Sequence, residues 1–174
     1  MECSIRPWRM EDAESIAAAL NNPKIHANLR DGLPLPYMTK DAQAYIGAML
    51  SAPQDSAYAF AITVDDRAIG SIGVFRRENI HSRTAEMGYY IAEPYWGKGL
   101  MSLAVEQTVA YIFKNTDIMR IFAEPFCYNA ASRKVLEKNG FTLEGILREN
   151  AVKNGKVLDM ALYALLKSEY ALKV

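Results

Sequence analysis

The sequence predicts one mixed α/β domain, and three observations lead there. Apolar residues recur with helical spacing in four segments and form about seven strand-like blocks between turn signals. The segments run βα, α, βββ, αβ, αβ, β, with neither an internal repeat nor a linker-like stretch. Finally, 174 residues, 51% of them hydrophobic and 23% charged, supply apolar material for a single core.

Residues 4–9 read as a strand. Residues 12–20 read as a helix, because Ala13, Ile16, Ala17 and Leu20 fall on one face. Residues 21–38 carry Pro23, Gly32, Pro34 and Pro36, which predicts an irregular connection, either a plain surface loop or the wall of a binding site. Thr39 is placed to cap a second helix with the stripe Ala42, Tyr45, Ile46 and Met49, closed by Pro53. Strands follow at 58–64, 67–75 and 84–92; the tight Asp65-Asp66 turn makes the first two an antiparallel hairpin and the trio a meander at the sheet centre. After Gly97 and Gly99 a helix covers about 100–114, with Met101, Ala104, Val105, Val109 and Ile112 on one broad face. A strand at 120–124, a helix at 130–139 and a closing hairpin, 141–152 with 156–166 turned at Asn154-Gly155, complete the order.

Twenty basic and twenty acidic residues cancel, so no global positive field would hold a phosphate backbone, and nucleic acid is not an expected partner. No run of 18 apolar residues exists and the first residues, with Arg6, Arg9, Glu11 and Asp12, lack the apolar block of a secretion signal; a soluble cytoplasmic protein without membrane association is expected. Cys3 and Cys127 have no CxxC spacing, and His26 and His81 no ligand spacing, so neither a metal site nor a disulfide is assigned.

The chemistry concentrates where Trp96-Gly97-Lys98-Gly99-Leu100-Met101 joins a strand to a long helix. Free N–H groups at a helix start, approached closely across glycines, suit a diphosphate. The P-loop sequence is absent, and a dinucleotide fingerprint fails because Ser102 stands at the third glycine and the preceding strands are hairpin-linked rather than parallel. The segment instead resembles the pyrophosphate loop of the GNAT acetyltransferases, in the WGKG form of the branch related to RimJ and RimL, which act on ribosomal-protein amino termini; Met101 departs from that pattern, where glycine or alanine is usual. Asn129-Ala130-Ala131-Ser132, Val135-Leu136-Glu137-Lys138-Asn139-Gly140-Phe141, Glu144-Gly145 with Asn154-Gly155, and the opening Ile5-Arg6-Pro7-Trp8 are also similar to that branch, so the likeness spans almost the whole chain.

The resemblance implies a GNAT fold over residues 1–174: a largely antiparallel sheet of about seven strands, splayed between the fourth and fifth, flanked by about four helices. It implies acetyl-CoA as co-substrate and direct acetyl transfer to a primary amine, foremost a peptide or protein amino terminus. A small amine (polyamine, amino sugar or antibiotic) or a non-catalytic acyl-CoA-binding role stay open, and exposed edge strands allow a homodimer. By the same resemblance the backbone of Tyr90, Ile91 and Ala92 binds the pantetheine arm and polarises the acetyl carbonyl. Trp96, Gly97, Lys98, Gly99, Leu100, Met101 and Ser102 hold the phosphates, and Asn129 and Ser132 approach the arm and its sulfur. Glu86, on one strand face with Gly88 and Tyr90, is the candidate base, against a solvated surface charge; Ser132 is the candidate proton donor, against a hydroxyl bonded into its own helix. Asn129 can equally be a helix N-cap. Many GNAT enzymes carry a tyrosine acid where this chain has Leu136, with Tyr128 a remote substitute. The glutamate of the RimL-like pattern aligns with Ala151, next to which Glu149 is expected on the same strand face. Arg133, Lys134, Lys138 and Lys98 form a basic set that either meets the nucleotide or is solvated.

Overall fold

Residues 2–172 are described by a computed structural model. The strands β1 (Cys3–Pro7), β2 (Ala57–Val64), β3 (Arg67–Arg76), β4 (Thr84–Ile91), β5 (Arg120–Ala123), β6 (Thr142–Lys153) and β7 (Lys156–Leu166) form one sheet in the order β1-β2-β3-β4-β5-β7-β6. Among the described residues only the β4–β5 pair is parallel. Both hairpin turns were legible as residue types: Asp65 and Asp66 have φ of 49° and 62°, Asn154 and Gly155 50° and 72°, the left-handed pair that matches strand twist in a two-residue loop.

The helices are α1 (Ala13–Leu20), α2 (Pro23–His26), α3 (Thr39–Leu50), α4 (Leu100–Asn115), α5 (Ala130–Lys138) and α6 (Lys167–Ala171). The first strand stops at Pro7, and a 3-10 turn at Met10–Asp12 leads into α1. Asp12 fixes that turn, accepting from Arg9 N at 2.9 Å and from both terminal nitrogens of Arg6 at 2.8 Å. Residues 21–38 are irregular except for α2, whose four residues are too few to leave a periodic trace; Asn22 caps it by accepting from Lys24 N at 2.9 Å, and Pro23 opens it. Thr39 is the first residue of α3 rather than its cap: Met38 holds the cap position, and the Asp41 carboxylate accepts from Met38 N at 2.8 Å. The short α6 was not expected.

Each face of the sheet carries its own core. Ile62, Ile72, Val74, Ile121, Tyr163 and Leu165 pack under α4 and α5, while Trp8, Ile16, Leu20, Ala42, Ile46 and Ala61 make a second cluster under α1 and α3. The sheet opens between these layers. β4 and β5 share only Thr84↔Arg120, Ala85↔Ile121 and Glu86↔Phe122, and β4 then runs on to Ile91 paired with β3 alone. The chain after β5 follows β7 instead, through Ala161 N donating to Pro125 O at 2.9 Å and the Phe126↔Met160 bridge. On the far side, β6 loses register with β7 between Leu147 and Ala151.

Candidate active site

The gap beside β4 can be built from backbone parity. Ala92 N donates to Ile69 O, and Arg77 N to Thr84 O, both at 2.8 Å, so even-numbered residues of this strand direct their peptide groups to β3. Odd-numbered Met87, Tyr89 and Ile91 therefore turn theirs into the gap, and the Ile91 carbonyl accepts from Trp96 Nε1 at 2.7 Å. Of Tyr90, Ile91 and Ala92, only Ile91 thus faces the gap through its backbone; Tyr90 and Ala92 are held in the ladder. Period-two reasoning applied to hydrogen bonds rather than side chains would have selected Tyr89.

At the end of the gap, Gly97 and Gly99 take φ of 72° and 75°, and a Cβ on either would meet nothing within 4 Å. Glycine is thus required there for conformation and not for room. The first backbone bond into α4 is Leu103 N to Gly99 O at 3.2 Å; among the described residues, no N–H from 97 to 102 has a protein acceptor. Gly97, Gly99, Leu100, Met101 and Ser102 line a cleft of about 1050 Å³ that continues into the gap. This unpartnered donor row fits a diphosphate. Met101 keeps its backbone N–H within the row. Lys98 is outside the cleft, with Nζ 5.6 Å from the Tyr95 ring centroid, and Ser102 Oγ accepts from Asn139 Nδ2 at 3.0 Å, joining α4 to α5. Arg133 is engaged by Tyr163 Oη at 3.1 Å and by the Cys127 carbonyl at 3.3 Å rather than turned to the cleft.

From α5, Asn129 is the N-cap, its Oδ1 accepting from Ser132 N at 3.2 Å, and it also lines the cleft. The Ser132 hydroxyl is not bonded into its own helix: Oγ lies 2.8 Å from Tyr89 Oη across the gap. Burial pushes the Tyr89 phenol up to about 12, against a smaller opposing effect of the Ser132 hydrogen bond, so at neutral pH it is a proton donor. Leu136 is fully buried, and Tyr128 donates to Ala27 O at 2.6 Å, away from Ser132.

Glu86 lies on the opposite face of β4, as do Gly88 and Tyr90, and reaches the same cleft. It forms ion pairs with Arg30 and, at 3.3 Å, with Arg77; Arg30 also lies 3.6 Å from Glu124. Residues 21–38 are thereby fastened over the gap, with further ties from Lys153 to Asp31 at 2.6 Å and from Lys24 to Glu93. Glu149 is not on a regular strand face. It has φ of 52° at the irregularity in β6, donates its N–H to Asp159 Oδ1 at 2.7 Å, and like Ala151 is outside the cleft. Sequence reasoning missed Tyr89, Tyr37 and Glu124 as cleft residues.

A splayed α/β sheet with a glycine-led helix start at the splay is the architecture of an acyl-CoA-dependent acetyltransferase. Residues 3–142 match the acetyltransferase (GNAT) domain, and the chain belongs to that family, whose acetyltransferases use acetyl-CoA. It is similar to the uncharacterized N-acetyltransferase p20 of Bacillus licheniformis, 28% identical over 97% of this chain and 94% of that one. It is 32% identical to the ribosomal-protein-serine acetyltransferase of Escherichia coli over 62% of this chain and 60% of that one. Its fold matches a RimL ribosomal-protein acetyltransferase solved in complex with coenzyme A, with a TM-score of 0.85 at 22% identity, covering 96% and 95% of the two chains.

Proposed function

We propose that the protein transfers an acetyl group from acetyl-CoA directly to a primary amine, foremost the amino terminus of a peptide or protein, with both substrates held together in the cleft. The observation that carries this reading is the row of unpartnered N–H groups at 97–102 opening into a cleft that passes through the sheet. Diphosphate binds at that row, and the arm lies along the gap edge of β4, where Tyr89 and Ile91 turn their peptide groups. The Tyr89 and Ile91 N–H groups, not those that hold the diphosphate, oppose the charge that develops on the carbonyl oxygen.

The two remaining tasks fall on opposite faces of β4. An alkyl amine arrives as ammonium and must lose a proton before it attacks; Glu86 is the carboxylate on the face away from α5, and its Oε1 becomes available when Arg30, from the overlying segment, gives way, while Arg77 keeps Oε2 at 3.3 Å. The departing thiolate takes a proton from Ser132, which the Tyr89 phenol replenishes across 2.8 Å; the second proton that the nitrogen loses on becoming an amide passes to water, and water restores the phenol. The identity to the Escherichia coli ribosomal-protein-serine acetyltransferase supports a polypeptide acceptor.

Calorimetric titration with acetyl-CoA, with NADH and ATP as controls, tests the first half of this reading. Micromolar binding of acetyl-CoA alone is the expected result, followed by thiol release when amino-terminal peptides are added. Absence of binding would overturn the assignment of the glycine loop.

A further inference from the structure

The face of the sheet that carries Glu86 has an unusual floor. Three cross-strand pairs line it in succession: Ser71↔Tyr90, Gly73↔Gly88 and Phe75↔Glu86. All six residues line the cleft. The middle pair has no side chains, so a trough crosses the floor between a phenol at one end and a carboxylate at the other, about 13 Å apart along the strand at 3.3 Å per residue. The Phe75 ring covers Gly73, where an added Cβ would lie 2.7 Å from it. Over Gly88 an added Cβ would meet nothing within 4 Å, so that half of the trough is open.

The wall facing this floor is aromatic and apolar, formed by Tyr37, Tyr45, Leu29 and Ile25. Tyr37 is 3% exposed, yet among the described residues no group hydrogen-bonds its hydroxyl. The Tyr90 hydroxyl has no partner either, whereas Tyr45 Oη lies 3.4 Å from Ser71 Oγ. Tyr37 as a whole is buried, but its oxygen is not among the enclosed polar atoms that lack a partner; the hydroxyl opens toward the cleft and is free to bond a ligand there. Burial, and then the nearby Asp41 charge, push the Tyr37 phenol up, so it is a donor awaiting an acceptor.

We propose that the trough over Gly88 seats an aromatic or branched apolar group carried beside the reacting amine, and that the Tyr37 hydroxyl donates a hydrogen bond to a polar atom beyond that group. A primary amine on such a body is the preferred acceptor. A peptide beginning with Phe or Leu and a free arylalkylamine share this chemistry, whereas a peptide beginning with Ser or Ala leaves the trough empty. The ammonium lies at the Glu86 end, where β4 and β5 part. This inference rests on the acetyl-transfer reading and specifies its acceptor.

The test measures CoA release from acetyl-CoA with four peptides identical except for a first residue of Phe, Leu, Ser or Ala, and with 2-phenylethylamine. The expected result is kcat/KM at least tenfold higher for the Phe and Leu peptides than for the Ser and Ala peptides; activity on 2-phenylethylamine then tells whether a free amine also suffices. Gly88→Val, which fills open space on a β-strand, narrows the Phe-to-Ser ratio at least tenfold while the acetyl-CoA Kd, which also reports folding, stays within twofold. Tyr37→Phe raises KM for the preferred acceptor about fivefold with kcat held. Ser and Ala peptides that match or exceed the others, or a ratio unmoved by both substitutions, would overturn the acceptor assignment while leaving acetyl transfer intact. Transfer to none of the amines would instead overturn the acetyl-transfer reading, and the acceptor assignment with it.

Discussion

At the scale of single residues, the contact between Ser132 Oγ and Tyr89 Oη is the most specific arrangement in the cleft, because it joins β4 to α5 across the opening in the sheet. Since burial first, and the opposing Ser132 bond second, leave the phenol near 12, it stays protonated through neutral pH and titrates only in strong alkali. The kcat profile should therefore show no alkaline decline from this group below about pH 10, roughly two units under that value, where about 1% is ionised. Ser132→Ala should lower kcat about a hundredfold, the low end for loss of a positioned proton donor. Tyr89→Phe should cost part of the same factor, and the double variant should be little worse than Ser132→Ala alone if the two hydroxyls act as a relay. Additive losses, measured as a double-mutant cycle in kcat, would show two independent roles. The place of Ser132 in the cleft was legible in the sequence, by resemblance. Tyr89 was not, because 43 residues separate it from Ser132 and only the splay brings them together.

At the scale of elements, the glycine loop is where sequence and structure coincide most closely. Gly97 and Gly99 take the left-handed φ that only glycine adopts cheaply, and they deliver free N–H groups at the start of α4. Gly97→Ala should cost roughly 1 kcal/mol in stability from strain alone. It should weaken acetyl-CoA at least tenfold by calorimetry; an unchanged Kd would mean that the phosphates bind elsewhere. The entry to α1 gives a pH-dependent counterpart. Burial raises the Asp12 carboxyl, but hydrogen bonds from Arg6 and Arg9 outweigh it and hold the net value below the ordinary range. A carboxyl depressed on folding contributes stability above its unfolded value near 3.9, and loses it as pH falls through the lower folded value. Asp12→Asn should thus cost about 2 kcal/mol at pH 7, since Arg6 loses its buried charged partner but keeps Asp66. The difference from wild type in urea unfolding should shrink below about pH 4. Long periodic helices, both two-residue turns and the sheet's strand count were legible, because periodicity and turn chemistry are local. The irregularity in β6 that removes Glu149 from its expected face and the inversion that places β7 between β5 and β6 were not, because they are decided by pairing between strands, and the four-residue α2 was not, because it is too short for periodicity.

At the scale of the whole molecule, the sheet is two parts joined narrowly. β1 to β4 meet β5, β7 and β6 through only three residue pairs, and beyond Glu86 the two parts are held by helices and by side chains that cross the opening. Arg30 reaching Glu86 and Glu124, Lys153 reaching Asp31 and Tyr128 reaching Ala27 all tie residues 21–38 across that opening. A ligand lying along β4 would contact β4 and the start of α4 on one side and α5 on the other, so its binding energy couples directly to the integrity of the fold. With acetyl-CoA at about a hundred times its Kd, stabilisation should be about 2.7 kcal/mol. For a chain of this size that corresponds to a rise in Tm of about 5–10 °C. Coenzyme A, which keeps the diphosphate and the arm, should give a similar rise, and NADH none. The same titration on Gly97→Ala should need more acetyl-CoA for the same rise, because the ligand then binds a weakened donor row. A Tm that does not respond to acetyl-CoA at any concentration would mean that the opening in the sheet is not where the cofactor lies, however well the glycine loop resembles a phosphate site.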